Sequence, residues 1–103
     1  MTLEEIRQCF REGRFRVTVH AYVEAAKDGI EPDDLLHVAL CGVAVERREE
    51  DCRLVLSAQI PVGYPVHIVV EYGHDSHVWI VTAYIPDPDI WVMPTATRRR
   101  LRR

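Results

Sequence analysis

No stretch of this sequence approaches the roughly 20 consecutive apolar residues that a bilayer span requires. The chain also opens on Thr2-Leu3-Glu4-Glu5 rather than on a basic and then apolar leader. A cytoplasmic location and no membrane partner are therefore expected. Cysteine is scarce. Cys9, Cys41 and Cys52 are odd in number and far apart, without the close spacing that marks zinc or redox sites, so free thiols are expected. A Gly-rich phosphate loop, a Ser-His-Asp nucleophile pattern and a Cys-His pair at a recognised spacing are also missing. No cofactor or metal is implied. Internal repeats and Gly/Ser linkers are absent, which leaves no sign of a second domain.

What is present suits one globular core: 103 residues, 48% hydrophobic and 28% charged. The net charge of −3 conceals an asymmetry, because Arg98, Arg99, Arg100, Arg102 and Arg103 crowd the last six positions. In the remaining body acidic residues are in two-to-one excess, which disfavours broad, non-specific nucleic-acid binding. The organisation expected is a domain over 1–97 and a basic, disordered tail over 98–103, whose Arg98, Arg99 and Arg100 suit phosphate contact.

Thr2 and Glu5 have capping-box spacing, and Leu3, Ile6 and Phe10 repeat at helical intervals up to Gly13, which predicts a first helix. Phe15, Val17 and Val19 then alternate with Arg14, Arg16 and Thr18 as a short strand. A helix over 20–28 ends at Gly29. Another starts at Pro32 and turns Leu36, Ala39 and Leu40 inward, so the two form a hairpin. From Val43 onward, turns at 48–51, 61–63 and 73–76 delimit four strands of an antiparallel meander. The fold class expected is α+β: N-terminal helix, short strand, helical hairpin, four-stranded meander.

Turn lengths fix a register. A three-residue loop at 61–63 sets Leu54, Leu56 and Ala58 against Val70, Ile68 and Val66. A four-residue turn at 73–76 sets Val70 against Trp79, Ile68 against Val81 and Val66 against Ala83. All are apolar, so this face is the predicted core. The other face is predicted to be open. It gathers Ser57, His67 and Thr82 in line, Tyr84 one diagonal step away, and Arg53 between Glu46 and Glu71.

These residues resemble a bacterial family of small domains of unknown function. Its pattern runs Thr-x-His-Ala, Gly-Ile, His-Val-Val and Thr-x-Tyr-x-Pro-Asp-Pro with a Trp. Here it reads Thr18-Val19-His20-Ala21, Gly29-Ile30, His67-Ile68-Val69, and Thr82 through Pro88 to Trp91. That family looks like a relative of the RelE and ParE toxins, compact endoribonucleases with the same order of strand, helix hairpin and antiparallel sheet. The resemblance implies a RelE-like toxin of a toxin-antitoxin pair, with RNA as substrate and a protein antitoxin on the open sheet. One departure stands out. Glu24 and Asp28 occupy positions where the family pattern is basic.

Metal-free RNA cleavage needs a base, an acid and positive charge on the developing phosphorane. His20 and His67 suit the proton transfers, Tyr84 a donor and Thr82 the orientation of His67. Arg16, Arg53 and the tail suit the phosphate. Each residue also has an ordinary role. His20 serves equally as a cap, His67 as a cross-strand partner, and Tyr84 and Trp91 as closure of the core. His37, between Leu36 and Val38, reads as structural. His74, Asp75 and His77 around a turn fall short of a held metal geometry. The alternative is a non-catalytic domain of the same fold that binds a protein or ligand on that face.

Overall fold

The computed structural model describes residues 1–74, 76–87, 91–92 and 97–98. In chain order they form α1 (Leu3–Arg11), β1 (Phe15–Val17), α2 (Val19–Lys27), α3 (Pro32–Cys41), β2 (Val43–Arg48), a 3-10 turn (Glu49–Asp51), β3 (Arg53–Gln59), β4 (Pro65–His74), β5 (His77–Tyr84), β6 (Trp91–Val92) and β7 (Thr97–Arg98). The fold is α+β as expected, but the main sheet has five strands, in the order β1-β5-β4-β3-β2. β2 to β5 are the antiparallel meander; β1 joins its edge parallel to β5. Of the predicted 98–103 tail, Arg98 lies in β7, and the rest, with Arg99 and Arg100, falls outside the described residues.

Local chemistry sets the helix ends. Thr2 and Glu5 form the capping box of α1. Thr18 caps α2 by accepting from the Ala21 N–H at 3.1 Å, while its own hydroxyl donates to the Val81 carbonyl at 3.2 Å. That cap turns the chain out of β1 one step earlier than the alternation suggests, so Val19 opens the helix instead of ending the strand. Glu31 and Asp34 cap α3, with Pro32 in its first turn. At its far end Gly42 has an ordinary negative φ, yet an added Cβ there would lie 2.5 Å from the Val38 carbonyl oxygen. Close approach, rather than backbone freedom, demands glycine here.

The three helices cover one face of the sheet. Ile6, Phe10, Ala21, Ala25, Leu35, Val38 and Ala39 meet Leu54, Leu56, Val66, Ile68, Val70, Val78, Ile80 and Ala83 in a single core. In α3 the fully buried stripe is Leu35, Val38 and Ala39; the predicted Leu36 and Leu40 are only half-buried. Each fully buried Leu or Ile contributes about 2 kcal/mol of transfer free energy.

The predicted β3–β4 register is observed pair for pair, from Arg53 opposite Glu71 to Ala58 opposite Val66. The β4–β5 register differs. β4 extends to His74, which pairs with His77, so the turn is two residues long and its Asp75 lies outside the described residues. Register shifts follow on β4 between Glu71 and His74, where Gly73 has φ +95°, and on β5 at Val81. They reverse the facing of the first half of β5. Val78 and Ile80 enter the core, while Trp79 and Val81, predicted to be buried there, do not. Beyond the second shift the predicted facing returns, with Ala83 inside and Thr82 and Tyr84 on the other side.

Candidate functional site

Strand alternation carries Arg53, Val55 and Ser57 of β3, His67, Val69 and Glu71 of β4, and Trp79, Thr82 and Tyr84 of β5 to the face away from the helices. Arg16 joins them, since it pairs with Trp79 across the β1–β5 ladder. One face thus collects five of the candidates, Arg16, Arg53, His67, Thr82 and Tyr84. His20 is not among them. It is exposed at the start of α2, and α2 packs Ala21 and Ala25 into the core on the opposite side of the sheet.

Around His67 the shared face is not open as expected, although Arg16 and Arg53 are exposed and Val69, Trp79, Thr82 and Tyr84 half-buried. His67 has 0% of its surface exposed, and its neighbours Ser57 and Val55 on β3 are buried as well. Tyr84, rather than Thr82, stands directly opposite His67; Thr82 is opposite Val69. The Tyr84 hydroxyl lies 3.3 Å from His67 Nδ1, and the rings meet edge to face with centroids 5.3 Å apart. Burial pushes the His67 imidazole down to about pKa 4, because a cation sealed from water is disfavoured. At neutral pH it is uncharged.

The expected cations are differently placed. Arg53 is tied to Glu71, with Nε and Nη2 3.0 and 2.9 Å from Oε2, while Glu46 turns to Arg48 instead. Arg16 is exposed, its guanidinium donating to the Phe15 carbonyl at 3.3 Å. His37 has the structural place expected, with Nε2 3.1 Å from the Gln59 carbonyl oxygen, tying α3 to the end of β3. Among the described residues, no group of three or more His, Cys, Asp or Glu could hold a metal ion, and no helix is long and apolar enough to cross a membrane.

A second surface went unforeseen. α2 is apolar on both sides: Ala21 and Ala25 face the core, while Val19, Tyr22, Val23 and Ala26 face solvent. Val19 is 79% exposed, Tyr22 46% and Val23 47%. Their spacing of three and four residues is legible in the sequence once Val19 is assigned to the helix. Beside this stripe a groove of about 150 Å³ is lined by Phe15 and Val17 of β1, Ile80 of β5, Tyr22, and Pro32 and Leu36 of α3, with Asp33 also lining it.

Three helices on one face of a mixed sheet, and a buried His67 against a half-buried Tyr84 on the other, define a small α+β domain with a short parallel edge strand. The chain belongs to the DUF4258 family, a domain of unknown function, whose family model matches residues 17–85. That span runs from the end of β1 to just past β5 and includes His20, Arg53, His67, Thr82 and Tyr84, while α1 lies outside it. No curated protein matches the chain.

Proposed function

We propose that this domain works by binding another protein, in the manner of a non-catalytic interaction module. The observation that carries this reading is the apolar, solvent-facing side of α2. A helix apolar on both sides is normally covered on both, and a contiguous apolar patch on a soluble domain marks an interaction site. The candidate catalytic groups lend less support to chemistry. His67 is sealed and neutral, and His20 stands across the sheet from it. A general acid or base must reach the proton that it moves.

A second reading is a metal-independent endoribonuclease of RelE-like kind, the toxin of a toxin-antitoxin pair. It is favoured by the contact of His67 with Tyr84 and by Thr82, Arg16 and Arg53 on the same face. For it to operate, His67 must be uncovered when RNA binds. Incubation of purified protein with RNA and a chelator separates the two readings. The binding reading expects equal, background-level cleavage by wild type and His67→Ala. The nuclease reading expects products ending in a 2′,3′-cyclic phosphate, and a loss of about two powers of ten in rate for folded His67→Ala.

A further inference from the structure

We propose that the outer edge of β1, with the groove beside Tyr22, docks an extended, positively charged segment of a partner protein as a sixth strand. This rests on the protein-binding reading and names its surface and the partner's chemistry. The backbone supplies the first reason. Arg14 accepts from the Val78 N–H and Thr18 donates to the Ile80 carbonyl. In a parallel ladder alternate residues bond to the same neighbour, so Phe15 and Val17 turn their N–H and C=O groups away from β5. Among the described residues no strand pairs with that edge, where the Phe15 carbonyl accepts from the exposed Arg16 guanidinium, which a docked strand would displace. An unpaired edge is a template for another chain.

The groove beside the edge decides what sort of occupant fits. At about 150 Å³ it is well below the ~300–1,000 Å³ of small-molecule pockets. It suits a single apolar side chain of a docked strand, with Tyr22 as one wall.

Charge complementarity fixes the sign of the partner. Arg16 of β1 is exposed but lies with Trp79 on the face of the sheet away from the groove; from Val17 to Leu36 the only Lys or Arg is Lys27, and it pairs with Glu24 at 3.2 Å. Asp28, Glu31, Asp33 and Asp34 cluster where α2 passes into α3, and among the described residues none of them pairs with Lys or Arg. Asp33 lies on the groove itself. Side chains two apart on a strand share a face. A segment that places Leu in the groove therefore sets the residues two before and two after it on the same face, where Asp33 stands, and Lys or Arg suits them. A second copy fits poorly, since it would bring two acidic hairpins together and set one Arg16 near the other. RNA is repelled by the same acids.

The test uses three capped peptides: Ser-Lys-Ser-Leu-Ser-Lys-Ser, its analogue with Glu for both Lys, and its analogue with Ser for Leu. Each is titrated into the isotope-labelled protein and followed by amide NMR. The lysine peptide should shift Phe15, Arg16, Val17 and Tyr22, and both analogues should bind about tenfold more weakly or worse. Asp28→Lys combined with Asp33→Lys, both at exposed positions, should reverse the preference in favour of the Glu peptide. Tyr22→Ser should weaken all binding without lowering Tm. Equal binding of the Lys and Glu peptides, no shifts from any peptide at millimolar concentration, or a dimer closed through β1 in sedimentation would each overturn the proposal. Shifts confined to Glu71, Trp79 and Thr82 would overturn this surface and leave the protein-binding reading standing. RNA cleavage that depends on His67 would overturn that reading itself.

Discussion

At the scale of single residues, His67 links burial to acid sensitivity. Its folded pKa of about 4 lies below the ordinary value of 6.5, so between those limits the unfolded chain binds a proton that the native chain refuses. Stability from this source is therefore complete above pH 6.5 and is lost as the pH falls toward 4. The total loss is about 3 kcal/mol. Urea unfolding of the wild type at pH 7 and pH 4.5 should show most of that fall. His67→Gln, which cannot take the proton, should show much less of it. Glu5, Glu12 and Glu49 have pKa values held below 4.5, chiefly by a backbone hydrogen bond from Thr2, a side-chain bond from Gln8 and the Arg47 guanidinium respectively. Their contributions are lost chiefly below pH 4.5, and the comparison with His67→Gln removes what they add above it. A wild type equally stable at both values would contradict the burial of His67.

Elements were legible where a periodic signal and its punctuation agreed. The capping box of α1, the Pro32 start of α3 and the short loop before β4 are all local, and the β3–β4 register followed from them pair by pair. The β4–β5 pairing was not legible. The Gly73 shift and the shift at Val81 obey no local rule, and together they reversed Trp79 and Ile80. The path of β1 was also hidden, because parallel pairing with β5 joins residues more than sixty positions apart. On the candidate face, sequence correctly placed His67, Thr82 and Tyr84 together. Its expectation that the face was open failed at His67, Ser57 and Val55, since turn lengths and alternation carry no information about how deeply a position is buried. Thr18 is the residue on which β1 and α2 divide, and it offers an element-scale prediction. Thr18→Ala removes both the cap of α2 and the bond to the Val81 carbonyl. It should cost about 1 kcal/mol, read as a lower denaturation midpoint with an unchanged slope. An unchanged midpoint would mean that α2 does not depend on this cap.

At the scale of the whole molecule, the two faces of the sheet divide the labour. One carries the core under three helices. The other holds a polar row, in which buried Ser57 and half-buried Tyr84 flank the buried His67 on the neighbouring strands. The proposed recognition falls to the margin, where the β1 edge, the outer side of α2 and the start of α3 line one groove. In the proposed division His67 is a sealed, neutral wall of the domain rather than a working acid or base. Nitrogen-15 NMR of the His67 ring across pH 3 to 8 reads that state without any other group in the way. A ring that is neutral at pH 7 and has its titration midpoint near pH 4 is expected; a ring that titrates at the ordinary 6.5 in the folded protein would contradict its burial.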